Sequence, residues 1–367
     1  MARALMLTAP RQLRFEEVAA DVPGPGEVRL RSLLSGISHG TELNLYRGTS
    51  AFVDHVFDRE LRSIVPAGEI AAYPATLGYG LVSAVEEVGA GVEGLSPGDV
   101  VHTGTPHRDE AIVDVAQAAR GAFPLVRLPP GASLESALFI SMGTIALQGV
   151  HDAQIKLGDH VAVVGLGAIG LLTAQMARLS GAATVHVVDP IESRRQLALQ
   201  LGADTAHDPR AAEPSTGVAV KRALGGRGVD VAIETSGVDA GLHDAMACAH
   251  LGGTVVAVGF YQGGSPRLRL GEEWHHNRLT LLSSMGGWGA PHRSAPAWDR
   301  ARLVPAVADL LFSGAIVTSG LPVRTFPFAE AADAYRWLDE HPADAIKVAL
   351  SYDRSGNRIS RCSAAER

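Results

Sequence analysis

The chain has 367 residues, with 39 acidic and 32 basic side chains, a formal net charge of −7 and no block of basic residues. This balance argues against nucleic-acid and anionic-membrane partners, which bind through clustered lysines and arginines. The chain is longer than the ~250–300 residues at which a single hydrophobic core stops growing, so we expect two domains. Its 46% hydrophobic content and 41 glycines are typical of a packed α/β enzyme.

The cysteines and the N-terminus indicate the expected compartment. The two cysteines, Cys248 and Cys362, form no C-x-x-C pair, so we expect neither a thiolate zinc cluster nor a disulfide framework. The opening stretch MARALMLTAPRQL lacks the apolar core of a signal peptide. The longest apolar run, residues 161–177, is interrupted by three glycines and predicts no membrane span. We therefore expect a cytoplasmic protein.

The first 150 residues predict short strands joined by turns rich in glycine and proline. Residues 35–48, SGISHGTELNLYRG, predict a polar loop that enters a short helix. Residues 49–75 have no strong period and predict a loop or lid over a site, and a helical connector is predicted at 134–150. The predicted strands are at 4–7, 13–17, 27–35, 76–88, 94–101 and 106–115.

The segment 160–190, HVAVVGLGAIGLLTAQMARLSGAATVHVVDP, organises the rest of the chain. Its apolar run at 161–164 predicts a strand buried on both faces. A G-x-G-x-x-G motif and a helical pattern that stops at Gly181 follow this run. A second strand at 184–188 ends on Asp189. A strand, a glycine turn, a helix and a terminal acid in this order predict a dinucleotide site.

Each glycine of the motif has a predicted role. Gly165 would allow the tight turn, Gly167 would let the backbone approach a pyrophosphate, and Gly170 would let the helix pack near the strand. The helix start offers free N–H groups and the positive end of its dipole, so we include Ala168 and Ile169 among the cofactor contacts.

Asp189 also bears on which dinucleotide is bound. It lies about 20 residues past the glycines, where a carboxylate would accept a hydrogen bond from the ribose 2′-hydroxyl. A carboxylate there repels a 2′-phosphate, so NAD is favoured over NADP. Arg194 and Arg195 follow closely and could weaken this preference, with Arg194 as a cofactor contact. The alternative is that both arginines lie on a solvated helix face.

The remaining segments complete an α/β pattern. Further strands are predicted at 229–234, 253–261 and 279–285, with helices between them, so residues 151–298 predict a doubly wound nucleotide-binding domain. EEWHHN at 272–277 lies between the last two of these strands; treated as extended, it would place His275 and His276 on opposite faces, so we expect no metal pair there. Helices are predicted at 299–313 and 326–340, a last strand at 345–350 and a disordered tail at 354–367. Residues 1–150 and 299–353 would share the substrate domain, with a ligand cleft between the two domains.

Taken together, these segments resemble the medium-chain dehydrogenase/reductase superfamily, of the zinc alcohol dehydrogenase type. The resemblance rests on the glycine motif with Asp189 and on four further pieces of sequence. Those pieces are PGEVRLRSLLSGIS with GTEL, GYGLVSAVEEVGAGVEGLSPGDVV, FPFAEAADAY and DAIKVAL. It implies a Rossmann domain plus a barrel-like, GroES-like catalytic domain, hydride transfer to or from NAD(P), and a homodimer or homotetramer.

The chain departs from the zinc-dependent members at all three ligand positions. Where they have G-I-C-G/H-x-D, it has GISHGTE at 36–42; where they have G-H-E, it has GYG at 78–80; and the third position falls in FISM at 139–142. Catalytic zinc needs about three ligands of Cys, His or carboxylate type. Ser38, Tyr79 and Ser141 are poor ligands. The stretches GISHGTE, GYGLVS and PHRDEAIV resemble a zinc-lacking branch that includes bacteriochlorophyllide-type dehydrogenases. The loop at 38–41 looks one residue longer, so either Ser38 or His39 takes the vacated position.

Without a metal, a positioned side chain must bind the substrate oxygen and move its proton. Tyr79 would do this or be a packed aromatic residue, and Ser38 would bind the oxygen or fill the metal's space. His39 would contact the cofactor pyrophosphate, relay a proton or lie on the surface. Glu42 would support the site or cap the local helix. His102 and His107 would border the cleft or be structural.

The resemblance implies further cofactor contacts outside the glycine motif. Lys347 matches a basic residue that closes on the pyrophosphate, with a solvated lysine as the alternative. Gly259, Phe260 and Ser284 fall where relatives hold the nicotinamide carboxamide with backbone groups. The apolar edge strand at 279–285 invites pairing with a second subunit.

The favoured function is a zinc-independent, NAD-dependent oxidoreductase of a secondary alcohol or ketone. Its small-molecule substrate would be polar, sugar-like or ring-bearing, because polar groups replace the metal ligands. A variant keeps NAD bound and re-reduces the same substrate, as an epimerase does. The alternatives are a zinc-free NADPH quinone or enoyl reductase and a non-catalytic NAD-binding sensor.

Overall fold

The computed structural model describes residues 2–19, 21–68, 72–262, 264–286, 293 and 295–352. The predicted disordered tail at 354–367 and Cys362 lie outside the described residues. None of the described helices combines the length and the apolar character that crossing a bilayer requires.

The first part of the chain consists mainly of short strands. They and their helices are β1 (Ala2–Ala9), β2 (Gln12–Val18), β3 (Glu27–Ile37), α1 (Thr41–Arg47), β4 (His55–Asp58), β5 (Ser63–Pro66), β6 (Ala75–Thr76), β7 (Leu81–Val88), β8 (Val100–Thr103), β9 (Glu110–Asp114), α2 (Val115–Ala119), β10 (Val126–Arg127), α3 (Leu134–Ala137) and α4 (Ile140–Ala153).

From residue 160 onward, strands alternate with helices until the chain returns to the first part. These elements are β11 (His160–Val164), α5 (Ala168–Leu179), β12 (Thr184–Val188), α6 (Glu192–Gln200), β13 (Thr205–His207), α7 (Thr216–Ala223), β14 (Val229–Glu234), α8 (Asp239–Cys248), β15 (Ala249–Ala257), α9 (Glu273–His276), β16 (Thr280–Ser283), α10 (Arg300–Phe312), β17 (Val323–Pro327), a 3₁₀ turn (Phe328–Glu330), α11 (Ala331–Glu340) and β18 (Lys347–Ser351).

The middle of the chain forms a six-stranded parallel sheet in the order β13-β12-β11-β14-β15-β16. Alternate residues of β11 face opposite sides of it. Val161 and Val163 pack with α4, α5 and α10, whereas Ala162 and Val164 pack with α7 and α8. Both faces are therefore covered by helices, which explains why the strand sequence is apolar throughout. The predicted doubly wound sheet is confirmed.

The two ends of the chain share a mixed sheet in the order β10-β8-β7-β3-β18-β17, with β9 also paired to β3. Its central pairing joins distant segments, because β18 runs antiparallel to β3 with Ala349 opposite Gly36. This sheet brings the loop after β3 and the start of β18 to the same edge. The predicted α/β fold with a second, mainly β part is confirmed.

Three local predictions were wrong. The EEWHHN segment is the short helix α9, because the N–H groups of His276 and Asn277 bond to carbonyls four residues back rather than to a neighbouring strand. The supposed loop at 49–75 contains the β4–β5 hairpin. The helix expected at 326–340 begins only at Ala331, since the chain to Pro327 pairs with β18.

Candidate active site

The turn between β11 and α5 leaves an opening at the start of the helix. Gly165 has a φ of +91°, and a Cβ on it would lie 2.7 Å from the backbone nitrogen of Ser236. A Cβ on Gly170 would run into the carbonyl oxygen of Gly165. A Cβ on Gly167, by contrast, would meet nothing within 4 Å. The first N–H groups of a helix have no intrahelical acceptor, so Ala168 and Ile169 present theirs at this opening.

Asp189 lies beside this turn, at the end of β12. Its buried carboxylate accepts hydrogen bonds from the N–H of Leu166 at 2.7 Å and from the N–H of Ile191 at 2.8 Å. Arg195 donates to the Asp189 carbonyl at 2.7 Å and pairs with Asp208 at 3.4 Å. The carboxylate is thus fixed next to the glycine loop.

Arg194 connects the nucleotide-binding sheet to the other part of the molecule. Its Nη2 donates to the carbonyl oxygens of Pro342 at 2.7 Å and Ala345 at 3.1 Å, just before β18. Burial lowers the pKa of its guanidinium, an effect that the nearby Asp189 opposes. Neither Arg194 nor Arg195 is simply solvated.

Lys347 is almost fully buried, which rules out the alternative of a solvated lysine. Its Nζ donates to the carbonyl oxygen of Ile37 at 3.0 Å, and burial lowers its pKa to about 8. Among the described residues, no carboxylate lies within ion-pair distance of Nζ. Within the described ranges, the enclosed Nε2 of His39 has no partner, and the pKa of His39 is lowered to about 3 by burial and by the charges of Lys347 and Arg194. His39 is therefore neutral at pH 7 and lies near two cations.

Ser38, one of the two candidates for the first ligand position, and Tyr79, at the second, are joined by a hydrogen bond. The Tyr79 phenol donates to the Oγ of Ser38. Burial raises the pKa of Tyr79 to about 12, assisted by the negative charge of Glu42. The Tyr79 ring also stacks on Phe123, with centroids 5.2 Å apart and ring planes within 10°. The phenol is therefore held in one orientation and stays protonated at neutral pH.

Glu42 is a buried carboxylate that fixes Ser38 from behind. It accepts a hydrogen bond from the Ser38 N–H at 2.8 Å, is bonded to His107 Nε2 at 3.0 Å, and accepts another from the Tyr335 phenol. Burial alone would raise the pKa of Glu42, but His107, Tyr335 and the Ser38 N–H together lower it. Glu42 is thus ionised and does more than cap α1.

The network continues on the far side of His107. Its Nδ1 lies 2.7 Å from the Oγ of Ser35, which lies 2.8 Å from the phenol of Tyr352. Sequence reasoning missed His107 and Tyr335 as partners of Glu42. Their positions carried no signal, because an isolated histidine and a helical tyrosine look like ordinary core residues.

The third zinc-ligand position is also filled by a hydroxyl group. Ser141 donates to the carbonyl oxygen of Tyr79 at 3.2 Å and lies 3.3 Å from His102 Nε2. His102 is buried, and burial and the Lys347 charge lower its pKa to about 3. Neither a thiolate nor a carboxylate occupies any of the three ligand positions.

These residues do not fit a catalytic zinc ion, which needs about three N, S or carboxylate ligands. Within the described ranges, one group of three such side chains has ligand atoms within 4.8 Å of one another: His243, Glu272 and Glu273. That group lies between α8 and α9, where Arg269 already contacts His243 at 2.9 Å. It is separate from Ser38 and Tyr79.

The carboxyl ends of β14, β15 and β16 meet at the same edge of the sheet as the glycine turn. Gly259 is required there, because a Cβ on it would lie 2.6 Å from the Glu234 carboxylate. Ser284 donates its N–H to the carbonyl of Ala257 at 2.8 Å, and its enclosed Oγ has no partner in the part of the chain that the structure describes. Phe260 is exposed, and its ring contacts that of Phe52 at a tilt of 35°, with centroids 5.8 Å apart.

Glu234 is a third residue whose role sequence reasoning missed. Its carboxylate accepts hydrogen bonds from the N–H groups of Ser236 at 2.5 Å and Gly237 at 3.0 Å, and from the phenol of Tyr261. Burial raises the pKa of Glu234. An acid at the end of an otherwise apolar buried strand was the available signal. The carboxylate holds the loop that closes over Gly165.

Comparisons with known proteins identify the family and the fold. Residues 168–301 match the sequence model of a family described as zinc-binding dehydrogenase. Over 358 residues the chain is 31% identical to D-guloside 3-dehydrogenase of Escherichia coli K12, which covers 95% of this chain and 100% of that relative.

Two solved structures show the same fold. The 2R,3R-butanediol dehydrogenase from Bacillus subtilis has a TM-score of 0.75 at 22% identity, covering 96% of this chain and 100% of its own. A short chain alcohol dehydrogenase from Escherichia coli CFT073, complexed with NADH, has a TM-score of 0.72 at 22% identity, covering 95% of this chain and 99% of its own.

Proposed function

We propose that this chain, which belongs to the zinc-binding dehydrogenases of the medium-chain dehydrogenase/reductase superfamily, oxidises a secondary alcohol with NAD but, unlike most of that family, without zinc. Its relatives are dehydrogenases of alcohols and sugar derivatives, so it is an oxidoreductase of alcohols or polyols. We infer in addition that the cofactor is NAD, that no metal takes part, and that the substrate is polar and sugar-like. The observation that carries it is the hydrogen-bonded pair of Tyr79 and Ser38 at the positions where zinc ligands are expected.

NAD, when bound, supplies the acceptor for the hydride. The residues that would hold it are arranged around the start of α5. Gly167 leaves room for the pyrophosphate, whose charge would interact with the helix N-terminus. Lys347 and Arg194 are two cations near His39, and Lys347 has no anionic partner among the described side chains. A diphosphate would balance that buried charge. Asp189 would bind the ribose hydroxyls, which favours NAD over NADP.

The direction of one hydrogen bond defines the proton path. Because Tyr79 donates to Ser38, the Ser38 proton is free to point at the substrate oxygen. In ketone reduction, Ser38 gives its proton to the carbonyl oxygen and receives the proton of Tyr79, which leaves a phenolate that is reprotonated by solvent. In alcohol oxidation, the same protons move in reverse as the substrate C–H hydride leaves. Glu42 positions Ser38, and His39 is too weak a base to stay protonated.

We also infer that the enzyme is a cytoplasmic homodimer or homotetramer. Within the described ranges, β16 pairs with β15 alone, and its Leu281 side chain is 37% exposed. An apolar edge strand of this kind is suited to pairing with a second copy. The cysteine content supports a reducing compartment.

The proposal is tested by a cofactor-linked screen of polyols, glycosides and cyclic alcohols with NAD and with NADP. We expect reduction of NAD, with kcat/KM at least about tenfold above that for NADP, which corresponds to about 1.4 kcal/mol. Asp189→Asn removes the charge but keeps acceptor capacity for the N–H of Leu166 or Ile191, so this preference should shrink. Asp204→Asn, at an acid that bonds the Val185 N–H, is the control. Faster turnover of enones or quinones with NADPH would contradict the proposal.

A further inference from the structure

We propose that Arg300 forms an anion-binding subsite in the wall of the substrate cleft. The substrate would then be a polyol or sugar that carries a carboxylate or a phosphate. This inference rests on the proposed function, because it concerns the other end of the molecule whose alcohol group meets Ser38 and Tyr79.

The ring of Phe123 lies between Arg300 and the hydrogen-bonded pair of Tyr79 and Ser38. It is the first residue of α10, and its guanidinium carbon is 5.6 Å from the centroid of the Phe123 ring. Phe123 stacks in turn on Tyr79. The Arg300 Nε donates to the carbonyl of Gly286 at 3.1 Å, in the loop that follows β16. Contacts with two other segments of the chain therefore hold this cation beside the Tyr79–Phe123 stack.

The charge of Arg300 has no counterion among the described residues. Its Nη1 is enclosed and has no acceptor, and no carboxylate lies within ion-pair distance. The neighbouring acid, Asp299, instead caps α10 by accepting from the Arg302 N–H at 3.0 Å. The sequence that follows Gly286, GWGAPHRS, contains no acidic residue. Burial lowers the pKa of Arg300, but a guanidinium remains charged in proteins.

An anionic oxygen would supply both the missing acceptor and the missing charge. The planar guanidinium matches the geometry of a carboxylate or a phosphate, whereas a sugar hydroxyl could accept a hydrogen bond but not balance the charge. Arg302 offers a contrast within the same helix. Its guanidinium lies over the Trp298 ring at 3.7 Å, and the residue is exposed to solvent. The enclosed, unpaired positive charge therefore belongs to Arg300 and is not shared by the other arginine of this turn of α10.

The test compares three ligands with the same ring: D-glucose, D-glucuronate and D-glucose 6-phosphate. Their dissociation constants for the enzyme–NADH complex are measured by calorimetry for wild type, Arg300→Gln and Arg302→Gln. We expect wild type and Arg302→Gln to bind at least one charged sugar about tenfold or more tightly than D-glucose, and Arg300→Gln to lose this preference. The tighter of the two charged ligands identifies the carboxylate or the phosphate as the natural group.

Equal binding of all three sugars, binding of none of them, or a preference that survives in Arg300→Gln would overturn the inference. If Arg300→Gln fails to fold, Arg300→Lys takes its place, because it keeps the charge but loses the planar guanidinium; we expect its preference for the charged sugar to weaken, and an unchanged preference would overturn the inference. The measurement does not need turnover. A protein that selects charged sugars but oxidises no alcohol contradicts the proposed function alone, whereas an active enzyme indifferent to charge contradicts this inference alone.

Discussion

Replacing Tyr79 by Phe should lower kcat for alcohol oxidation by about 10²–10⁴-fold while leaving NADH affinity unchanged. The substitution keeps the ring that stacks on Phe123 but removes the phenol that donates to Ser38. Steady-state kinetics and fluorescence titration with NADH measure the two quantities. Tyr73→Phe is the matched control, because it removes a phenol that bonds to the Leu45 carbonyl at 2.7 Å.

The pH profile separates an acid–base role of Tyr79 from a packing role. Its pKa of about 12 means that the phenol is the dominant form at neutral pH. Ketone reduction should therefore stay constant into the alkaline range, whereas alcohol oxidation, which needs the phenolate, should rise with pH. Tyr79→Phe should flatten the rise. Unchanged activity in Tyr79→Phe, or an unchanged profile, would contradict the role given to this residue.

Two glycines of the nucleotide turn, Gly167 and Gly170, should respond in different ways to the addition of a single methyl group. Gly170→Ala should destabilise the protein by about 1–3 kcal/mol, because its Cβ would overlap the Gly165 carbonyl oxygen. Gly167→Ala should leave the thermal midpoint unchanged, since nothing lies within 4 Å of its Cβ position. It should nevertheless weaken NADH binding by about tenfold or more, because the methyl group enters the space assigned to the pyrophosphate.

Thermal unfolding without cofactor, followed by NADH titration, distinguishes the two glycine variants. Each variant serves as the control for the other, because the added methyl group is the same. Normal NADH affinity in Gly167→Ala would show that the pyrophosphate does not approach this turn. It would also remove the basis for assigning the neighbouring Ala168 and Ile169 to the cofactor.

The fold and the nucleotide turn could be predicted because their determinants are local. The glycine spacing, the apolar runs and Asp189 all lie within one stretch of sequence, and the family resemblance was confirmed. The hydrogen bond between Ser38 and Tyr79 cannot be predicted from the sequence, although the sequence indicates both residues as candidates for the site. Their roles in catalysis and cofactor binding remain predictions.

The contacts that support the site could not be predicted from the sequence because they join distant segments. Glu42 is bonded to His107, 65 residues away, and to Tyr335, 293 residues away. Nothing near Lys347 in the sequence indicates burial, which arises only when β18 pairs with β3 and the side chain lies over Gly36. The α9 error has a different cause, since four residues are too few for periodicity to separate a helix from a strand.

The most direct test of the central claim is the metal content of purified protein that is fully active, measured by elemental analysis before and after dialysis against a chelator. Hydroxyl groups at all three ligand positions predict far less than one zinc ion per chain and the same kcat after chelation. One zinc per chain, removed together with activity and restored with it, would contradict the account.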